Sequence, residues 1–135
     1  MSDYKIFRYP VLIKEHHLDT FSHVNNATYL SLLEEARWEF LNEYGLDLKT
    51  IQETSVGPIV LECHIQFLRE LRLRQSIVIE SQMVSFEKKI GVMRQRIINE
   101  QGELCSQAEM TFGIFDLRER RLILPPPEWL SLVGG

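Results

Sequence analysis

The chain has 135 residues, 44% of them hydrophobic and 25% charged, with a formal net charge of −4. One ordinary globular domain, residues 1–135, accounts for this and leaves no room for a second; at such a size roughly two-thirds of the unfolded chain's surface can be buried, so neither disulfides nor a structural metal is required. The acidic balance excludes a nucleic-acid binder unless basic residues are strongly segregated, and no run approaches the roughly eighteen consecutive apolar residues of a transmembrane helix.

In chain order, the opening MSDYKIFRYP has no apolar stretch behind a basic start, so no signal peptide is expected and a cytoplasmic location follows. A strand near residues 5–14 comes first. The densest polar cluster, HHLDTFSHVNNATY at residues 16–29, then runs into a segment where Tyr29, Leu30, Leu33, Ala36, Phe40, Leu41 and Tyr44 recur at three- and four-residue steps. That spacing predicts a long amphipathic helix over residues 26–44. Asn25 or Asn26 can cap its start, and Gly45 supplies its stop.

After the helix the period becomes two: Ile59, Leu61, Cys63, Ile65 and Phe67 alternate with Val60, Glu62, His64, Gln66 and Leu68, which predicts a strand. Strands over 75–87, 90–99 and 103–116 follow, separated by the short links Lys88-Lys89 and Glu100-Gln101-Gly102. Such links join antiparallel neighbours, because a parallel crossover needs about a dozen residues. The expected class is α+β: one long central helix wrapped by an antiparallel meander of about five strands, since a twisted sheet can cover most of the helix surface. Pro125, Pro126 and Pro127 end the last strand, and EWLSLV beyond them reads as a short surface helix.

Cys63 and Cys105 lie in apolar alternating segments without a second Cys or His at zinc spacing, so both are expected to be buried free thiols in a reducing compartment. Basic residues form only a small cluster: Arg69, Arg72 and Arg74, with Lys88 and Lys89 later. That is enough for a few phosphates but not for a track of them.

The chemistry concentrates where the polar cluster meets the helix. A helix N-terminus presents unpaired N–H groups and roughly half a positive charge, so it can polarise a carbonyl oxygen. An aspartate a few residues upstream, ionised at neutral pH with an ordinary value near ~3.9, can attack the carbon of that carbonyl or activate a water. Asp19 occupies that place. A thiol leaving group departs readily, so the missing G-x-S-x-G signature is no objection to acyl transfer.

Asp19, His23, Val24, Asn25, Asn26 and Tyr29, with Glu35, Ala36 and Arg37 on the helix, match a D-x-x-G-H-V-N-N-x-x-Y motif followed by E-A-R. In these residues the chain resembles the hotdog-fold acyl-CoA thioesterases of the 4-hydroxybenzoyl-CoA thioesterase kind. The likeness continues more weakly through Phe67, Leu68 and Arg69. It implies a single hotdog domain acting on acyl-CoA or another acyl thioester, with Asp19 as the catalytic carboxylate and the Asn26 backbone N–H polarising the carbonyl. His23 joins this catalytic set, and Asn25 and Tyr29 frame the substrate. It also implies a homodimer or homotetramer with sites at subunit interfaces and CoA phosphates held by basic residues, for which Arg69, Arg72, Arg74, Lys88 and Lys89 are the candidates. No cofactor, nucleic acid or membrane is implied. Ser22 stands where the family usually has Gly, and His17 where a first Asp of D-x-D is common.

Other readings remain open. His16, His17, Asp19 and His23 carry metal-ligating groups, but their spacing fits no metal motif. Tyr29 suits packing, and Glu35 and Arg37 suit a supporting pair or network. A hotdog dehydratase or hydratase would need a His paired with a carboxylate for proton transfer at carbon. A non-catalytic acyl-thioester or acyl-carrier-protein binding module would keep the groove without depending on Asp19.

Overall fold

The computed structural model describes residues 4–133. Strand β1 (Phe7–Leu12) leads through a 3-10 turn (Glu15–His17) into helix α1 (Asn26–Glu43), then helix α2 (Leu48–Thr54). Strands β2 (Val56–Phe67), β3 (Ser76–Glu87), β4 (Ile90–Ile98), β5 (Leu104–Asp116) and β6 (Arg121–Ile123) follow, and after them a 3-10 turn (Pro127–Trp129) and α3 (Leu130–Val133).

Helix α1 begins where Asn25 caps it, its side chain accepting from the Thr28 N–H. It ends as its glycine requires. Gly45 has φ +75°, and the Gly45 and Leu46 N–H groups donate to the Asn42 and Leu41 carbonyls, the double bond of a Schellman stop. One face, Tyr29, Leu32, Leu33, Ala36, Phe40 and Leu41, is buried. Each fully buried leucine on it is worth about 1.5–3 kcal/mol relative to exposure. Leu30, counted above in the apolar stripe, is instead 41% exposed and Leu32 takes its place.

All six strands form one antiparallel sheet that packs on α1, the hotdog arrangement. Its order, β1-β3-β4-β5-β2 with β6 on β5, corrects the simple meander. β2 does not neighbour β3; it pairs with β5 and forms the far edge. The reason is the connection. Residues 68–75 are long enough to cross the sheet end, whereas the two shorter links must join neighbours. Leu71, 1% exposed, anchors the crossing in the core, and Leu68 and Arg69 both donate to the Cys105 carbonyl.

The register of β2 shifts between Val60 and Glu62. This bulge breaks the single apolar face expected from alternation, because one extra residue exchanges the two sides of a strand. Before it Pro58 and Val60 line a partly open cavity, with Val60 still 47% exposed; after it Ile65 packs on the core and Phe67 meets Tyr29. Ile59 and Leu61 are left 38% and 47% exposed.

Three further differences have local causes. α2, not anticipated, is capped by Asp47 accepting from Thr50, a D-x-x-T signal visible in the sequence. The C-terminal segment is no surface helix: Trp129 and Leu132 are 1% and 2% exposed and close one end of the core. Both cysteines are free, but only Cys105 is buried, since Cys63 lies on the edge strand.

A polar tie joins β1 to α1. The Tyr9 hydroxyl donates to Glu35 Oε2 at 2.6 Å, and this bond, then burial and the Glu35 charge, push the Tyr9 phenol up to about 12. An unfolded tyrosine titrates near ~10, so the stabilisation is present below about pH 10 and is lost as pH rises toward about 12. Denaturant unfolding of wild type and Tyr9→Phe across this range should show a constant advantage for wild type below pH ~10 that shrinks above it. An advantage undiminished at the top of the range would rule the tie out as its source.

Candidate active site

The chain between the 3-10 turn and α1 folds into a closed loop. Ser22 N–H donates to the Asp19 carbonyl at 3.0 Å and Asp19 N–H to the His23 carbonyl at 2.9 Å. Asp19 Oδ1 accepts from the N–H groups of Phe21 (2.9 Å) and His23 (3.1 Å). Ser22 has φ +62°, the left-handed conformation that explains why glycine is usual there. The half-buried Asp19 is therefore no cap of α1; it holds its own loop through one oxygen, while Oδ2 has no hydrogen-bond partner among the described residues.

At the helix start, Asn25 satisfies Thr28 through both its carbonyl and its side chain. The Asn26 and Ala27 N–H groups have no acceptor among the described residues. These are the orphan donors at the positive end of α1's dipole, fixed by the fold before any ligand arrives.

Asn26 lines an open cleft of about 310 Å³ together with His23, Tyr29, Phe67, Arg69 and Glu70, among others. Tyr29 is its floor. Its ring meets the Phe67 edge at 5.0 Å between centroids, its hydroxyl donates to the Arg69 carbonyl at 3.4 Å, and burial pushes its phenol up, all of which suit packing rather than proton donation. His23 stands on the rim with Nδ1 3.4 Å from Glu70 Oε1. Asp19 is not among the lining residues; its loop leads to that rim.

The basic candidates divide. Arg69, Arg72 and Arg74 ride on the 68–75 crossing and line a second, polar cleft adjoining the first, since both include Leu68, Arg69 and Glu70. Arg74 is paired with Glu15 at 2.7 Å and Arg69 with Glu103 at 3.3 Å, whereas Arg72 has no carboxylate partner among the described residues. Lys88 and Lys89 are not brought to them: they turn the β3–β4 hairpin at the opposite end of β4, whose nine residues span roughly 30 Å.

Nor do the loop histidines converge. The His16 and His17 rings lie 4.0 Å apart at a tilt of 41°, and His17 Nδ1 accepts from the Lys14 N–H, a bond that favours the neutral ring. Burial, then the nearby His16, lowers its pKa in the same sense. Among the described residues no three His, Cys, Asp or Glu side chains gather as metal ligands.

Glu35 and Arg37 are not partners of each other. Glu35 receives Tyr9, and Arg37 donates to Oε1 of the fully buried Gln95, whose Nε2 donates to the Leu33 carbonyl and Ser81 Oγ. This network was missed although a lone Gln on the inward face of β4, between Met93 and Ile97, signalled it. It braces the helix that carries the site.

Residues 13–132 match the sequence profile of the Thioesterase-like superfamily. The long-chain acyl-CoA thioesterase FadM of Escherichia coli (strain K12) is 32% identical over 114 residues, 84% of this chain and 86% of that one. The acyl-CoA thioester hydrolase YbgC of Escherichia coli O157:H7 is 26% identical over 105 residues, 78% of each. The crystal structure of YbaW, a probable thioesterase from Escherichia coli, superposes with a TM-score of 0.77 at 29% identity, over 92% of this chain and 93% of that one. SAV2348 of Staphylococcus aureus, solved in complex with CoA, shares the fold with a TM-score of 0.88 at 20% identity, over 97% and 83%. With a profile match across nearly its whole length, laid over a hotdog sheet and a helix start of free donors, the chain belongs to the thioesterase-like hotdog superfamily.

Proposed function

We propose that this protein is a cytoplasmic hydrolase of acyl-CoA thioesters, releasing free acid and CoA, with Asp19 as its catalytic carboxylate. One observation carries the reading: the unpaired Asn26 and Ala27 N–H groups stand beside a loop whose aspartate keeps one oxygen free. The thioester carbonyl accepts from the helix start, which stabilises the charge that develops on its oxygen. Asp19 Oδ2 either attacks the carbonyl carbon, giving an anhydride that water then opens, or takes a proton from an attacking water. In both routes the C–S bond breaks and the thiolate, with a conjugate-acid pKa near ~8.5, leaves without a strong general acid. Family membership and the names of the most similar relatives support the substrate class.

Asp19→Asn is the direct test. The amide oxygen can still accept from Phe21 and His23, so the loop should persist. The negative charge is lost, and thiol release from the best acyl-CoA should fall by ~10²–10⁴ with binding retained. Turnover within about threefold of wild type, in protein free of wild-type contamination, would refute the role.

CoA's phosphates fall to the polar cleft on the 68–75 crossing. Replacing Arg69 and Arg72 by Glu should raise KM much more than it lowers kcat, because remote phosphate contacts act alike in ground and transition states. The effect should weaken with added salt, which screens exposed charges beyond about 8–10 Å. An unchanged KM would return these arginines to the solvated surface.

The assembly is a homodimer, or a tetramer built from it, joined along β2. That strand is an open edge carrying exposed Ile59, Val60, Leu61 and Phe67, features a soluble monomer normally blunts. Sedimentation should show at least a dimer at micromolar concentration, and Leu61→Lys should shift it toward monomer. A monomeric wild type would overturn this.

A further inference from the structure

A cavity of about 130 Å³, partly open to solvent, lies between the second half of α1, the sheet and the C-terminal segment. Trp38, Leu41, Val60, Phe112, Trp129 and Leu132 supply most of its walls. Its walls are mostly apolar and Val60 among them is 47% exposed, so an apolar occupant would take that surface out of water. Its two ends differ. Exposed Glu34 and half-buried Arg37 mark the side toward solvent, while Trp129 and Leu132, 1% and 2% exposed, form the closed end.

The cavity is aligned with the cleft at the helix start. Asn26, Leu30, Glu34, Arg37 and Leu41 follow one another at steps of four, four, three and four residues, which places them on one stripe of α1. The same strand flanks both sites: β2 supplies Phe67 to the cleft and Pro58 and Val60 to the cavity. Leu30, 41% exposed, is the apolar step between them. The cleft and the cavity share no lining residue, but the same stripe of α1 and the same edge strand connect them, so a groove from the N–H donors to the cavity would lie between α1 and β2, on the side that a partner's strand would roof.

We propose that a straight acyl chain lies in this groove with its far end in the cavity, and that Trp129 and Leu132 set the longest chain accepted. The proposal rests on the acyl-thioester reading above. From Asn26 to Glu34 is eight residues, about 12 Å along the helix. An extended chain advances roughly 1.2 Å per single bond, as the backbone's three bonds per residue show, so about ten bonds reach the mouth. A cavity somewhat smaller than one of about 150 Å³ that takes benzene adds roughly four to six carbons. Chains of about 14–16 carbons fill the path, and longer ones meet the tail.

S-alkyl-CoA thioethers, which cannot be hydrolysed, test the cavity apart from the chemistry. Trp38 and Trp129 are the chain's two tryptophans and both line it, so occupancy can be read from intrinsic fluorescence. Affinity should rise about fourfold per methylene and level off near 16 carbons. A bromine at the far end of a hexadecyl thioether should quench the tryptophans, and one at the end of a hexyl thioether should not. Leu132→Ala and Trp129→Phe should move the plateau to longer chains by roughly two to four carbons, and Val60→Phe to shorter ones.

An unmoved plateau in all three folded variants, loss of affinity equal at every chain length, or equal quenching by both bromides would overturn the proposal. Thiol release from the matching acyl-CoA esters is followed separately. No turnover with the plateau intact would sink the hydrolase reading and leave the cavity assignment standing; turnover without chain-length dependence of binding would do the reverse.

Discussion

The covering of α1 by the sheet is the constraint on which the rest of the molecule depends. Six of its side chains go into the core, and the sheet must curl across them. A helix so enclosed can present its backbone only at its ends. Its C-terminal end is consumed by the Gly45 stop, whose N–H and that of Leu46 satisfy the last carbonyls. Its N-terminal end emerges beside Phe67, at the rim of the sheet, with two N–H groups unspent. Polar chemistry is thereby set against a mostly apolar groove, the pairing an acyl thioester presents in reverse.

Topology does as much as packing. Had β2 paired with β3, the sheet would have been a plain meander and residues 68–75 a tight turn. Placing β2 beyond β5 forces that segment across the sheet end, which carries Arg69 to the cleft at the helix start and Arg72 and Arg74 to the polar cleft adjoining it. It also leaves β2 as an open edge, with the groove against α1 on its inner side. Charge, edge and groove are three consequences of one strand's position.

The polar contacts are sparing and local. Asp19 closes its loop with one oxygen, Asn25 caps the helix, and Tyr9 and Gln95 tie the helix to two strands. The fully buried Gln95 would cost about 1–3 kcal/mol if left unpaired, and together the four contacts hold the helix start in one orientation. Tyr9 and Gln95 thus brace the helix without lining the cleft.

Sequence alone determined a good deal here. Period-four spacing marked α1, period-two spacing marked the strands, and Asp19, His23, Asn25 and Asn26 identified the loop and helix start, because caps, stops and alternation are local and act within a few residues. What it could not determine was anything carried by contacts distant along the chain. The bulge after Val60 depends on pairing with β5, so the inward face of β2 was misjudged and Cys63 with it. Local pattern reads Trp129 and Leu132 as a surface helix, and only the fold shows what they cover. The union of α1, β2 and the tail around one cavity, and the separation of Lys88 and Lys89 from the arginines, belong to tertiary structure alone, since strand order and burial arise from pairings that no local period encodes.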